Sequence, residues 1–146
     1  MPRPLTFATL LVVVAACSTD SALGGFDQAE IEVGSHSMTV LIAETPSQRN
    51  QGLRNVDELP VGVEGMLFVF EAPTTATFGM RDTLLSLDVW WFDQDGRLIG
   101  SAEMKPCPTE PCTNYRSPPG VRWVLETPVG ETELGPEDVL NVALAG

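Results

Sequence analysis

Asp88 is the only ionisable residue in LLSLDVWWF, residues 84–92, a run that otherwise has the composition of a buried strand. An unpaired carboxylate among such neighbours is costly, so it must find a cation, several donors or a proton. Strand alternation puts Asp88 on the face of Ser86, Trp90 and Phe92, opposite Leu85, Leu87, Val89 and Trp91. The partners within reach of the motif are Arg81, Thr83, Arg54 and Arg49, with Arg122 and Glu126 further along the chain. Three chemistries follow. Two arginines can grip a carboxylate or another oxyanion by paired donors, while Asp82, Asp88 and Glu126 accept hydrogen bonds from hydroxyl or amine groups. The ligand-binding candidates on that reading are Arg54, Met80, Arg81, Asp82, Thr83, Asp88 and Glu126. Alternatively Asp82 and Asp88, or Asp88 and Glu126, work as general acid and base in a hydrolase-like enzyme. In the third, the cluster is an internal salt-bridge network that only stabilises a partner-binding fold.

Other chemistry finds little support. Asp93-Gln94-Asp95-Gly96 opens like a calcium loop but lacks the distal glutamate, so it reads as a hairpin turn. Met66, Met80 and Met104 suit core filling better than a soft-metal site. No serine or cysteine stands in a nucleophile motif, and there is no phosphate-cradling glycine loop and no zinc spacing, so no cofactor or metal is expected. The single histidine, His36, reads as an exposed strand residue. Cys107 and Cys112, in the proline-stiffened KPCPTEPC, suit a disulfide that pins a loop. A redox pair usually has two intervening residues rather than four, and a two-thiolate metal site would lack a nearby histidine.

The elements that must position these residues begin after an export signal. Residues 1–17, MPRPLTFATLLVVVAAC, join Arg3 to a short apolar run and small residues before Cys17. The stretch Val14-Ala15-Ala16-Cys17 resembles a bacterial lipobox, which makes Cys17 the lipidated first residue of a mature envelope protein, anchored to a membrane with its domain outside the cytoplasm. Polar, glycine-rich residues 18–25 then read as a flexible tether, and residues 26–146 as one β-domain of ordinary size. A disulfide is at home in that compartment. Removing the signal takes away only Arg3 and no acid, so the formal charge goes from −12 to −13. Such a surface repels phosphate backbones, which argues against nucleic acid as a partner and leaves a small polar molecule or an envelope protein.

Within the domain the apolar pattern is mostly of period two. FDQAEIEV and HSMTVLIA flank Gly34-Ser35 as a hairpin. Thr45-Pro46-Ser47-Gln48 has the form of a capping box, for a helix that Gly52 ends soon after Gln51. Strands are expected over Gly65–Phe70, where Pro73 breaks the run, then over 75–80, 85–92, 97–104 and 121–126. Gly135 to Asp138 reads as a turn before a closing strand at 139–144. Many short strands with one or two short helices predict an all-β fold, a compact antiparallel β-sandwich or barrel.

AETPSQRNQGLRNVDELP, GMLFVFE, TFGMRDTLLSLDVWWFDQDGRLIG, the cysteine loop and VLETPVG together resemble, in order and spacing, the domain-of-unknown-function 192 family. The resemblance spans Ile31 to Leu144. It implies a compact β-sandwich or barrel, export or lipid anchoring in many members, and no assigned activity. Its pattern covers Arg49, Gly52, Leu53, Arg54, Gly65, Met66, Phe68, Phe78, Met80, Thr83, Leu87, Asp88, Phe92 and Glu126. Two positions depart from it: Gly79 stands where members usually carry an aromatic residue, and Asp82 where they usually carry asparagine.

Overall fold

A computed structural model describes residues 22–142. Strands β1 (Asp27–Val33) and β2 (His36–Ala43) form the expected hairpin, with Val33 opposite His36 across Gly34-Ser35. Helix α1 (Pro46–Gln51) starts on Thr45, whose hydroxyl accepts from the Gln48 N–H at 3.1 Å. The Gln48 side chain in turn accepts from the Thr45 N–H at 3.1 Å. The Gly52 N–H then closes the helix on the Gln48 carbonyl at 2.9 Å.

Beyond α1 run β3 (Gly65–Thr74), β4 (Thr77–Phe78), β5 (Leu87–Phe92), β6 (Leu98–Met104), β7 (Tyr115–Arg116), β8 (Val121–Pro128) and β9 (Leu140–Asn141). Seven strands form one curled sheet in the order β6-β5-β8-β3-β2-β1-β9, while β4 and β7 pair apart from it, so the fold is all-β. Strand β9 lies along β1 at one edge. Beside it, Val139 bridges to Arg97 at the start of the other edge, and the Leu140 N–H donates to the Gly96 carbonyl at 2.8 Å. The two edges therefore meet at one end of the sheet, which leaves less unpaired edge there. Gly96 permits the approach: it has φ +77° and a Cβ on it would lie 2.2 Å from the Leu140 carbonyl oxygen.

Alternation sorts the apolar residues onto two faces. Val33, Val40, Leu67, Phe92, Leu125 and Leu140 fill the inside of the curl. Met66, Phe68, Val89, Trp91 and Val124 face outward and are covered by residues of the connecting segments, among them Leu53, Val56 and Met80. Because both faces are buried, the central strands carry nearly continuous apolar runs.

Four features differ from the sequence reading. The β2–β3 pair is parallel, with Val40 opposite Gly65, because α1 and the loop after it carry the chain back before β3 begins. Pro73 does not break β3: the β3–β8 register shifts between Val69 and Thr74, and a proline without an N–H is tolerated at such an irregularity. The strand expected over 75–80 shrinks to Thr77–Phe78, which pairs with Tyr115–Arg116, a segment without a strand pattern of its own. Finally, residues 22–25, expected in the flexible tether, form a turn. Leu23 is buried there, and the Gly25 carbonyl accepts from the Gln48 side chain at 3.0 Å. The signal segment, Cys17 and the last part of the expected closing strand lie outside the described residues.

Candidate functional site

The outward face of the sheet carries one carboxyl at its centre. Glu126 lies on β8, between β3 and β5, directly opposite Met66 on one side and Val89 on the other. It is 5% exposed, and its carboxyl has no hydrogen bond or ion pair among the described residues. Burial among apolar neighbours disfavours the charged form and pushes its pKa from 4.5 up to about 8, so near neutral pH it is mostly a neutral acid.

Above Glu126 is a cleft of about 280 Å³, walled by the end of α1 and the turn after it, by β4 and by the turn from Met80 to Thr83. Phe68 and Phe78, edge to face with centroids 5.3 Å apart, form one apolar wall. Arg49 and Arg54 line the same cleft but are held differently. Arg49, in the last turn of α1, donates to the Glu44 carbonyl and, at 2.9 Å, to the Val69 carbonyl, and its guanidinium lies 5.0 Å from the centre of the Phe70 ring. It pins the helix to β3. Arg54 is half-buried, and no acceptor among the described residues is bonded to its guanidinium. Thr83, 7% exposed, also lines the cleft, and no hydrogen bond engages its hydroxyl among the described residues.

The two turns are fastened together by their backbones. Asn55 and Asp82 both have φ 59°, a conformation these two residue types tolerate better than most. The Asn55 N–H donates to the Asp82 carbonyl at 2.7 Å. The Met80 carbonyl takes the N–H groups of Thr83 at 3.2 Å and Cys107 at 3.3 Å, which ties the cleft wall to the loop closed by the Cys107–Cys112 disulfide.

The residues singled out from sequence thus divide. Arg54, Met80, Thr83 and Glu126 meet in the cleft. Arg81 and Asp82 are exposed and face a neighbouring depression against the disulfide loop, where Arg81 pairs with Glu110. Among the described residues Asp88 meets no arginine: its carboxylate accepts from the Gly130 N–H at 2.9 Å and anchors the turn after β8. Register explains the separation. Val89 is opposite Glu126 and Asp88 is opposite Thr127, so the two carboxyls project from opposite faces of the sheet and cannot serve one acid–base reaction. Asp82 lies at the exposed turn by the disulfide loop, whereas the Asp88 carboxylate is engaged by the Gly130 N–H. Phe68 and Phe78, named in the sequence only as pattern positions, prove to be walls of the site. Gly79, also on the cleft, has nothing within 4 Å of where a Cβ would stand, so this rim is open where an aromatic side chain would narrow it.

Residues 29–141 match the domain-of-unknown-function 192 family, described as "Uncharacterized ACR". The chain belongs to that family. No curated protein matches it. Among solved structures, it is similar to a protein of unknown function from Novosphingobium aromaticivorans, with TM-score 0.72 and 25% identity over 82% of this chain and 88% of that one. It is similar also to a protein from Sinorhizobium meliloti described as a candidate transcription regulator, with TM-score 0.69 and 27% identity over 80% of this chain and 94% of that one. The family is uncharacterised, and a shared fold does not assign an activity.

Proposed function

We propose that this family member is a lipid-anchored envelope protein whose domain binds a small molecule bearing a carboxylate or another oxyanion. The observation that carries this reading is the unpaired guanidinium of Arg54 in the same cleft as the buried, unpartnered Glu126. A guanidinium offers five donors in a planar fork that matches a carboxylate, and here none of them is taken by the described protein groups. At about 280 Å³ the cleft is just below the usual size of ligand sites, about 300 to 1,000 Å³, which suits a small ligand. Transcription regulation, the role named for the Sinorhizobium meliloti protein, is not carried over, because a chain of formal charge −12 repels nucleic-acid phosphates.

Thermal-shift screening of the purified protein against organic acids, amino acids, sugar acids and neutral sugars tests the binding claim. A ligand at a hundred times its Kd stabilises by about 2.7 kcal/mol, and the stabilising compounds should be anionic. Neutral sugars alone shifting the transition would overturn the reading. For the anchor, Cys17→Ser should move the protein from the membrane fraction to the soluble one.

A further inference from the structure

We infer that the ligand is a zwitterion of amino-acid size, its carboxylate held by Arg54 at the rim and its ammonium by Glu126 at the floor, with an apolar body against Phe68, Phe78 and Met80. This rests on the binding role just proposed and narrows it. The cleft is bipolar: its cations, Arg49 and Arg54, come from α1 and the turn after it, and its acid comes from the centre of the sheet. The strands beside Glu126 present Met66 and Val89, and the turn from Met80 to Thr83 also lines the cleft, so among the described residues no cation is paired with the carboxyl. The carboxyl opens onto the cleft without a protein partner, and a ligand ammonium supplies the charge that strands β3 and β5 do not. A ligand with only an anion would leave the floor unsatisfied. One with only an amine would make no use of the Arg54 donors.

The pairing has a proton signature. Before binding, Glu126 keeps its proton near neutral pH because burial disfavours the carboxylate. When an ammonium seats beside it, the carboxyl releases that proton to solvent and the ion pair remains. With the acid about nine-tenths protonated at pH 7, binding should liberate close to one proton per ligand.

Isothermal titration of the purified protein at pH 7, in two buffers of different ionisation enthalpy, reads both affinity and proton count. L-Phenylalanine, L-leucine and L-methionine are compared with 3-phenylpropionate, which lacks the amine, and 2-phenylethylamine, which lacks the acid. An amino acid should bind at least tenfold tighter than either analogue and release close to one proton, and the release should vanish in Glu126→Gln. If 3-phenylpropionate binds as tightly as phenylalanine with no proton released, the zwitterion assignment is wrong while the oxyanion reading stands. If none of these compounds binds, the zwitterion assignment fails, and the broader thermal-shift panel alone decides the oxyanion reading. The comparison among ligands uses unmodified protein, so it holds whether or not the variant folds.

Discussion

Glu126→Gln should make the protein more stable relative to wild type as the pH rises from 5 to 8.5. In the folded protein the Glu126 pKa is raised from 4.5 to about 8 by burial, so between those values the folded state keeps a proton that the unfolded chain gives up. Stability contributed by this group therefore falls with rising pH across that window and is level above pH 8. At about 1.4 kcal/mol per pH unit, the full window is worth about 5 kcal/mol. Water entering the cleft around the ionised group would reduce this to about half. Glutamine has the same length and cannot ionise, so subtracting its profile removes the pH dependence of the other acidic residues. Urea unfolding at pH 5 and pH 8.5 is the assay. With a slope of about 1–3 kcal/mol per molar urea, the gap between the two midpoints should widen by about 1–3 M at the higher pH. An equal gap at both pH values would show that Glu126 is not desolvated and would remove the basis for placing a neutral acid at the floor of the cleft.

The two arginines should part company: Arg49→Ala is expected to cost about 2 kcal/mol by freeing the Glu44 and Val69 carbonyls, whereas Arg54→Ala changes stability by less than about 0.5 kcal/mol yet weakens anion binding at least tenfold. Urea denaturation and ligand titration on both variants check this, and equal stability losses would contradict the assignment of only one of them to the ligand. Asp88→Ala should cost about 1 kcal/mol through the lost bond from the Gly130 N–H and leave ligand affinity unchanged, because Asp88 lies on the other side of the sheet. Gly96→Ala should lower the thermal midpoint by several degrees, since a Cβ there meets the Leu140 carbonyl and opens the junction between the sheet edges.

Much of the architecture was legible because it follows from local rules. The capping box at Thr45, the Gly34-Ser35 hairpin, the Asp93–Gly96 turn and the period-two runs each satisfy their own backbone groups within a few residues. The family motifs could be read for the same reason, as they are contiguous words in the chain. Features that depend on distant pairing were not legible. The parallel β2–β3 contact, the β4–β7 ribbon and the burial of Leu23 each join segments whose sequences carry no signal of the other.

The site shows the same division. From sequence, Asp88 looked like the costly carboxylate and Arg81 its natural cation, because they are close along the chain and Asp88 is surrounded by apolar residues. Glu126 looked like a secondary partner on a later strand. Tertiary structure reverses their importance, because cost depends on what covers a side chain rather than on its neighbours in sequence. Asp88 lies near the strand end and reaches a turn N–H, while Glu126 is buried between β3 and β5 at the cleft lined by the segment after α1. Residue types and order determined which groups could form a polar site and that strands would carry them. Which face each group points from, and therefore which of them share a cleft, was decided only when register set Val89 rather than Asp88 opposite Glu126.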